Sequence, residues 1–262
     1  MVEPAPLLEV RDLSKSFGAL AALDSVSVAI APAEVVGIIG ANGAGKTTFI
    51  NIVTGYLAPT AGTVRFAGRD ITGVPSRRLV RHGVSRSFQV PQLFQSLTAR
   101  ENLMCAIEAG RPGWRAALRQ GVDGGDHARC AEILAAFALT DYRDRPAAAL
   151  PQGVRKILDI AMAMASAPLL LLLDEPTSGV SAEEKMEMMA TIMDGLARAG
   201  VTVLFVEHDM EVVERFVDRV LAFYQGRIIC DAPPAQAMAD EGVRHRVIGV
   251  APAGTAEARH HA

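Results

Sequence analysis

Residues 37–50 read GIIGANGAGKTTFI, and this stretch limits the chain's possible folds more than any other. Gly40-Ala41-Asn42-Gly43-Ala44-Gly45-Lys46-Thr47 satisfies the spacing G-x-x-x-x-G-K-[ST], with an apolar run before it and a helical pattern after it. Glycines there let successive backbone N–H groups curl around an anion, and the following helix start adds its partial positive charge. Lys46 reaches the outer phosphates of such a ligand. The Thr47 hydroxyl suits Mg²⁺, and Thr48 continues the cradle. The expected ligand is a nucleoside triphosphate.

A metal held by a threonine hydroxyl needs a carboxylate at the end of a neighbouring buried strand. The run LLLLLDEP supplies Asp174 for the ion and Glu175 for polarising an attacking water. VTVLFVEHD repeats the arrangement and ends at His208, which is placed to meet the terminal phosphate. Both runs are continuously apolar, as strands covered on both faces of a parallel sheet must be.

The remaining patterns surround these strands. Short strand-like segments (LLEV, VSVAI, VVGII, TVRF) fill residues 7–66, and RVLAFYQGRII reads as a closing hairpin turning at Gln225-Gly226. Residues 90–150 read as mainly helical, with Thr98 and Glu101 in capping-box spacing; Ser181 and Glu184 repeat that spacing before a later helix. The Gly/Arg-rich stretch around Trp114 reads as a mobile excursion, and residues 251–262 as a flexible tail. The outline is α/β with a helical insertion. The net charge of −3 disfavours a polyanion-coating protein, and three widely spaced cysteines lack metal-ligand spacing. No signal peptide is visible, and the longest apolar run is too short to span a bilayer. The expectation is a soluble chain, with any membrane span supplied by other polypeptides.

Together these residues resemble the ATPase subunit of ABC transporters, over residues 7–249. VSRSFQVPQLFQSLTARENL and LLLLLDEPTSGVSAEEK look most like importers of branched-chain amino acids; subunits serving urea and short amides are similar. The resemblance implies a P-loop NTPase core with a mainly parallel sheet, an N-terminal antiparallel β subdomain and an inserted helical subdomain. It divides one domain of residues 1–250 into a nucleotide-binding core (7–88 and 151–230) and the helical subdomain (90–150). ATP and Mg²⁺ are the implied cofactors. Phe17 takes the place of the residue that stacks on adenine, and Gln89 that of the glutamine that joins Mg²⁺ and reports to the membrane subunit. Leu93, Phe94 and Leu97 would help receive that subunit.

Two such subunits sandwich two ATP molecules, each between one chain's phosphate loop and the partner's L-S-G-G-Q signature. Here that stretch is Leu150-Pro151-Gln152-Gly153-Val154. Pro151 removes a hydroxyl and an N–H, Val154 replaces the final glutamine, and Gly153 remains. Ser181 stands where an aspartate is usual. The resemblance implies a second ATPase subunit, either a different chain with a full signature or a second copy of this one, two transmembrane permease subunits, indirectly an extracytoplasmic solute-binding protein, and no nucleic acid. The place of work would be peripheral, on the cytoplasmic face of the inner or plasma membrane. Alternatives are a soluble ABC-type ATPase and a nucleotide-gated regulator without transport.

Overall fold

The computed structural model describes residues 5–87, 91–110 and 124–249. Gln89, the excursion around Trp114 and the tail lie outside these residues.

Among the described residues ten strands form two sheets: β1 (Leu8–Phe17), β2 (Leu20–Ile30), β3 (Val35–Gly40), β4 (Ala61–Phe66), β5 (Arg69–Asp70), β6 (Val84–Arg86), β7 (Leu170–Asp174), β8 (Thr202–Val206), β9 (Arg219–Tyr224) and β10 (Arg227–Ala232). The first sheet is antiparallel, in the order β2-β1-β4-β5. The second runs β10-β9-β3-β8-β7-β6; every neighbouring pair is parallel except β10 with β9. Gln225 and Gly226, both at positive φ, make the tight turn of that last hairpin, as the sequence predicts.

The larger helices are α1 (Lys46–Val53), α2 (Ala99–Ala109), α3 (Gly124–Ala136), α4 (Gln152–Met164), α5 (Ala182–Ala199) and α6 (Met210–Phe216). The parallel sheet is covered on both faces, which is why its strands read as unbroken apolar runs. Alternation along β7 divides them: Leu171 and Leu173 join the core with Leu103, Phe137, Leu158 and Ile192 of the helices. Leu170 and Leu172 face the other way, into a core with Phe49 and Ile50 of α1 and Val10 and Val64 of the antiparallel sheet. All four leucines are fully buried, each worth roughly 1.5–3 kcal/mol relative to exposure.

Helix starts follow side-chain chemistry. Thr98 and Glu101 form the full reciprocal box at α2. At α5 only half of the expected box is described: Ser181 Oγ accepts from the Glu184 N–H at 3.4 Å. The first two strands extend beyond the LLEV and VSVAI segments and meet in a hairpin across Phe17 and Leu20. That hairpin tip sits over the phosphate loop.

Candidate active site

The loop from Gly40, the last residue of β3, to Lys46, the first of α1, is shaped by three glycines at positive φ, of which Gly43 and Gly45 matter most here. Gly45 has φ +105°, and a Cβ there would lie 2.6 Å from the Ala22 carbonyl oxygen of β2, so the hairpin tip closes on the loop only if this residue is glycine. Gly43 has φ +79° and open space around its Cβ position, which leaves the concave face free. No side chain caps the start of α1, so its leading N–H groups are available to an anion.

Lys46 is almost fully buried and turns back on the loop: its Nζ donates to the carbonyls of Gly40 at 2.5 Å and Ala41 at 3.1 Å. Burial pushes the ammonium below the ordinary lysine range, while Glu175 and Asp174 pull it back up. The cation is poised over the loop, held by backbone carbonyls, as a phosphate-binding lysine should be.

Asp174 ends β7, and its Oδ2 accepts from Arg86 Nη2 at 2.6 Å; Arg86 Nη1 donates to Asn51 Oδ1 of α1 at 2.7 Å. Glu175, the next residue, is held at φ +48°, an uncommon conformation for a side-chain-bearing residue. Contacts at its backbone and its carboxylate hold it. Its N–H donates to the Val206 carbonyl at 3.0 Å, its carbonyl accepts from Lys156 Nζ at 3.3 Å, and its Oε1 lies 3.0 Å from His208 Nε2. An ionised carboxylate can only accept, so this pair calls for the proton on Nε2. Buried Glu207 fixes the histidine in turn: it accepts from the Thr177 N–H and hydroxyl at 3.0 and 2.6 Å and from the His208 N–H at 3.0 Å. Lys156 also donates to Ser178 Oγ at 2.9 Å, and burial lowers its pKa despite Glu207, Glu175 and Asp159 nearby.

Phe17, Asn42, Gly43, Ala44, Gly45, Lys46, Thr47, Thr48, Glu175 and His208 share one cavity of about 310 Å³. Phe17 is half-exposed at its rim, with Lys15 Nζ 5.1 Å from the ring centroid. Gly40 and Asp174 do not line it: the Gly40 carbonyl accepts from Lys46 Nζ, and Asp174 is paired with Arg86. The donor set fits a triphosphate with a hard divalent ion: uncapped amides, a buried ammonium, a hydroxyl and strand-end carboxylates. Pro151 and Gly153 lie elsewhere, in a depression shared with Val154, Glu184 and Met188. Asn51, Arg86, Lys156 and Glu207 escaped sequence reasoning, although Arg86 stands inside the VSRSFQ stretch and Glu207 beside His208.

The profile of the ABC transporter family matches residues 23–178, more than half of the chain, spanning the loop, Asp174 and Glu175. The chain belongs to this family. As an ABC transporter ATPase it binds and hydrolyses ATP. It is similar to the high-affinity branched-chain amino acid transport ATP-binding protein BraF of Pseudomonas aeruginosa, with 36% identity across 88% of this chain and 93% of that one. It is 34% identical to LivG of Escherichia coli K12, a protein described in the same words, over 94% of this chain and 99% of that one. Among solved structures, MJ1267, an ATP-binding cassette of an ABC transporter, superposes with TM-score 0.81 and 28% identity over 92% of this chain and 98% of its own. Among the described residues no helix is long and apolar enough to cross a membrane.

Proposed function

We propose that this chain powers the import of branched-chain amino acids, working at the inner face of the membrane with two permease subunits and a second ATPase subunit. The names of its relatives support the solute. The observation that carries the mechanism is the 3.0 Å Glu175–His208 contact on the wall of the cavity whose floor is the phosphate loop.

Phe17 offers a face for the base, and the loop amides with Lys46 hold the triphosphate. Thr47 and Asp174, joined by Gln89 on the family resemblance alone, would hold Mg²⁺, which would neutralise charge on the triphosphate. Glu175, turned by its φ of +48° and steadied by His208, accepts a proton from water as the water oxygen bonds to the γ-phosphorus. The bond to the β-phosphate oxygen breaks and ADP leaves, while Lys46 balances charge on the transferring group. Pro151 and Gly153 would face the partner subunit's nucleotide, consistent with their separation from this chain's own cavity.

The test is Glu175→Gln. Hydrolysis is expected to fall about 10²–10⁴-fold, the loss of general-base assistance, with ATP binding retained. Uptake of radiolabelled leucine, isoleucine and valine by cells carrying only this variant should stop. Wild-type turnover would overturn the role of Glu175, and normal uptake with hydrolysis lost would overturn the transport role.

A further inference from the structure

The ion pair between Arg86 and Asp174 takes no part in the chemistry above, and it is well built. Both side chains are largely buried, at 10% and 18% exposure, and the guanidinium is tied to Asn51 as well. Arg86 ends β6, the edge strand of the parallel sheet, where the chain enters the segment that carries Gln89. With Tyr56, Val80, Gln92 and Asp159, Arg86 lines a groove of about 340 Å³, and its guanidinium carbon lies 5.7 Å from the Tyr56 ring centroid. One cation thus spans the carboxylate expected to face the metal and a groove outside the nucleotide cavity.

Such a partner could orient Asp174 or oppose the metal. Orientation needs little help here. Asp174 belongs to a strand flanked on both sides, in register with Val206 of β8, so its backbone is fixed by the sheet. Charge is the larger effect. A guanidinium on Oδ2 cancels the carboxylate's attraction for a second cation and repels a divalent ion in a partly desolvated site. We propose that Arg86 is an internal competitor for Asp174, whose ion pair sets the Mg²⁺ concentration the site requires. Metal loading weakens that pair, and the guanidinium keeps a second seat on Tyr56, in the wall of the groove.

This inference rests on the nucleotide reading, and the experiment separates the two. Binding of a fluorescent ATP analogue to the full chain carrying Glu175→Gln is titrated with Mg²⁺, and repeated in EDTA. Arg86→Gln keeps hydrogen-bonding capacity and removes the charge. It is expected to lower the half-saturating Mg²⁺ about tenfold, with affinity in EDTA changed less than about twofold. Arg86→Lys, which retains the charge and guards against a folding defect in the first variant, should stay within about threefold of the parent. An unchanged or raised Mg²⁺ requirement in Arg86→Gln would overturn the competitor role, as would an equal gain for Arg86→Lys. No analogue binding by the parent chain, with or without Mg²⁺, would instead overturn the nucleotide site itself.

Discussion

Lys46 is costly to the fold and necessary to the ligand. Its pKa lies below the unfolded value, so folding disfavours its charged form. The unfavourable contribution is present at pH values below the folded pKa and disappears as pH rises towards the unfolded value of about 10.4. Lys46→Met should therefore hold or raise the melting temperature where the folded ammonium stays protonated, and the gain should shrink as pH rises from there towards the unfolded value. ATP affinity should fall roughly 100-fold or more, because a charge-assisted contact in a desolvated site is lost. Melting curves across that pH range, with a nucleotide titration, check both; a lower melting temperature at its acid end would contradict the sign. The residues that make this site were legible to different degrees. Lys46 and Thr47 stand in one contiguous motif, and Asp174, Glu175 and His208 end apolar runs, where chemistry at the carboxyl edge of a sheet collects. Arg86 was not legible, because its meaning is an ion pair with a residue 88 positions away. Lys156 reads as one more polar residue at a helix start until the fold brings it to the Glu175 carbonyl.

Elements were legible where burial imposes a pattern on them. β7 and β8 are covered on both faces and read as apolar runs, whereas the outer halves of β1 and β2 do not read as strands at all. Beyond Leu13 the β1 residues are half-buried or exposed, and Leu20 and Phe17 point into solvent at the hairpin tip, so no alternation marks them. The start of α4 is different: the helical pattern was clear, but the position of its proline was not. Pro151 is the N-cap, with φ −54° and ψ 154°, and no side chain caps the helix. Its missing N–H lies outside the helical ladder, so the fold tolerates proline there. Pro151→Ser should add a capping hydroxyl worth about 0.5–1 kcal/mol. It should also return an N–H and a hydroxyl to the surface that would meet the partner's nucleotide. In a heterodimer whose other site is silenced, turnover at the partner's nucleotide should rise. A melting temperature that rises without any change in that turnover would confine Pro151 to helix geometry.

The whole molecule presents two working surfaces joined through one sheet. Its carboxyl edge carries the nucleotide cavity, with exposed Phe17 and Leu20 at the rim. The groove beside β6 exposes Tyr56 and Val80, and buried Asn102 holds the turn that leaves Phe94 57% exposed. The Asn102 side chain accepts from the Phe94 N–H at 2.8 Å and donates to the carbonyls of Phe94, Leu97 and Thr98. The resemblance implies that Leu93, Phe94 and Leu97 help receive a membrane subunit, but only the fold separates the first two: Leu93 packs against the core, and Phe94 stays outside. Apolar side chains held open by a satisfied buried amide suit a partner that completes them. Extraction of membranes from cells carrying tagged Glu175→Gln, with ATP present, should therefore recover two multi-span proteins and a second ATPase with an intact signature. A charge placed in the groove by Val80→Asp should reduce that recovery at least severalfold. Recovery of the tagged chain without any membrane protein would leave its ATPase chemistry standing and remove the importer. Equal recovery with Val80→Asp would keep the importer and move the docking surface away from this groove.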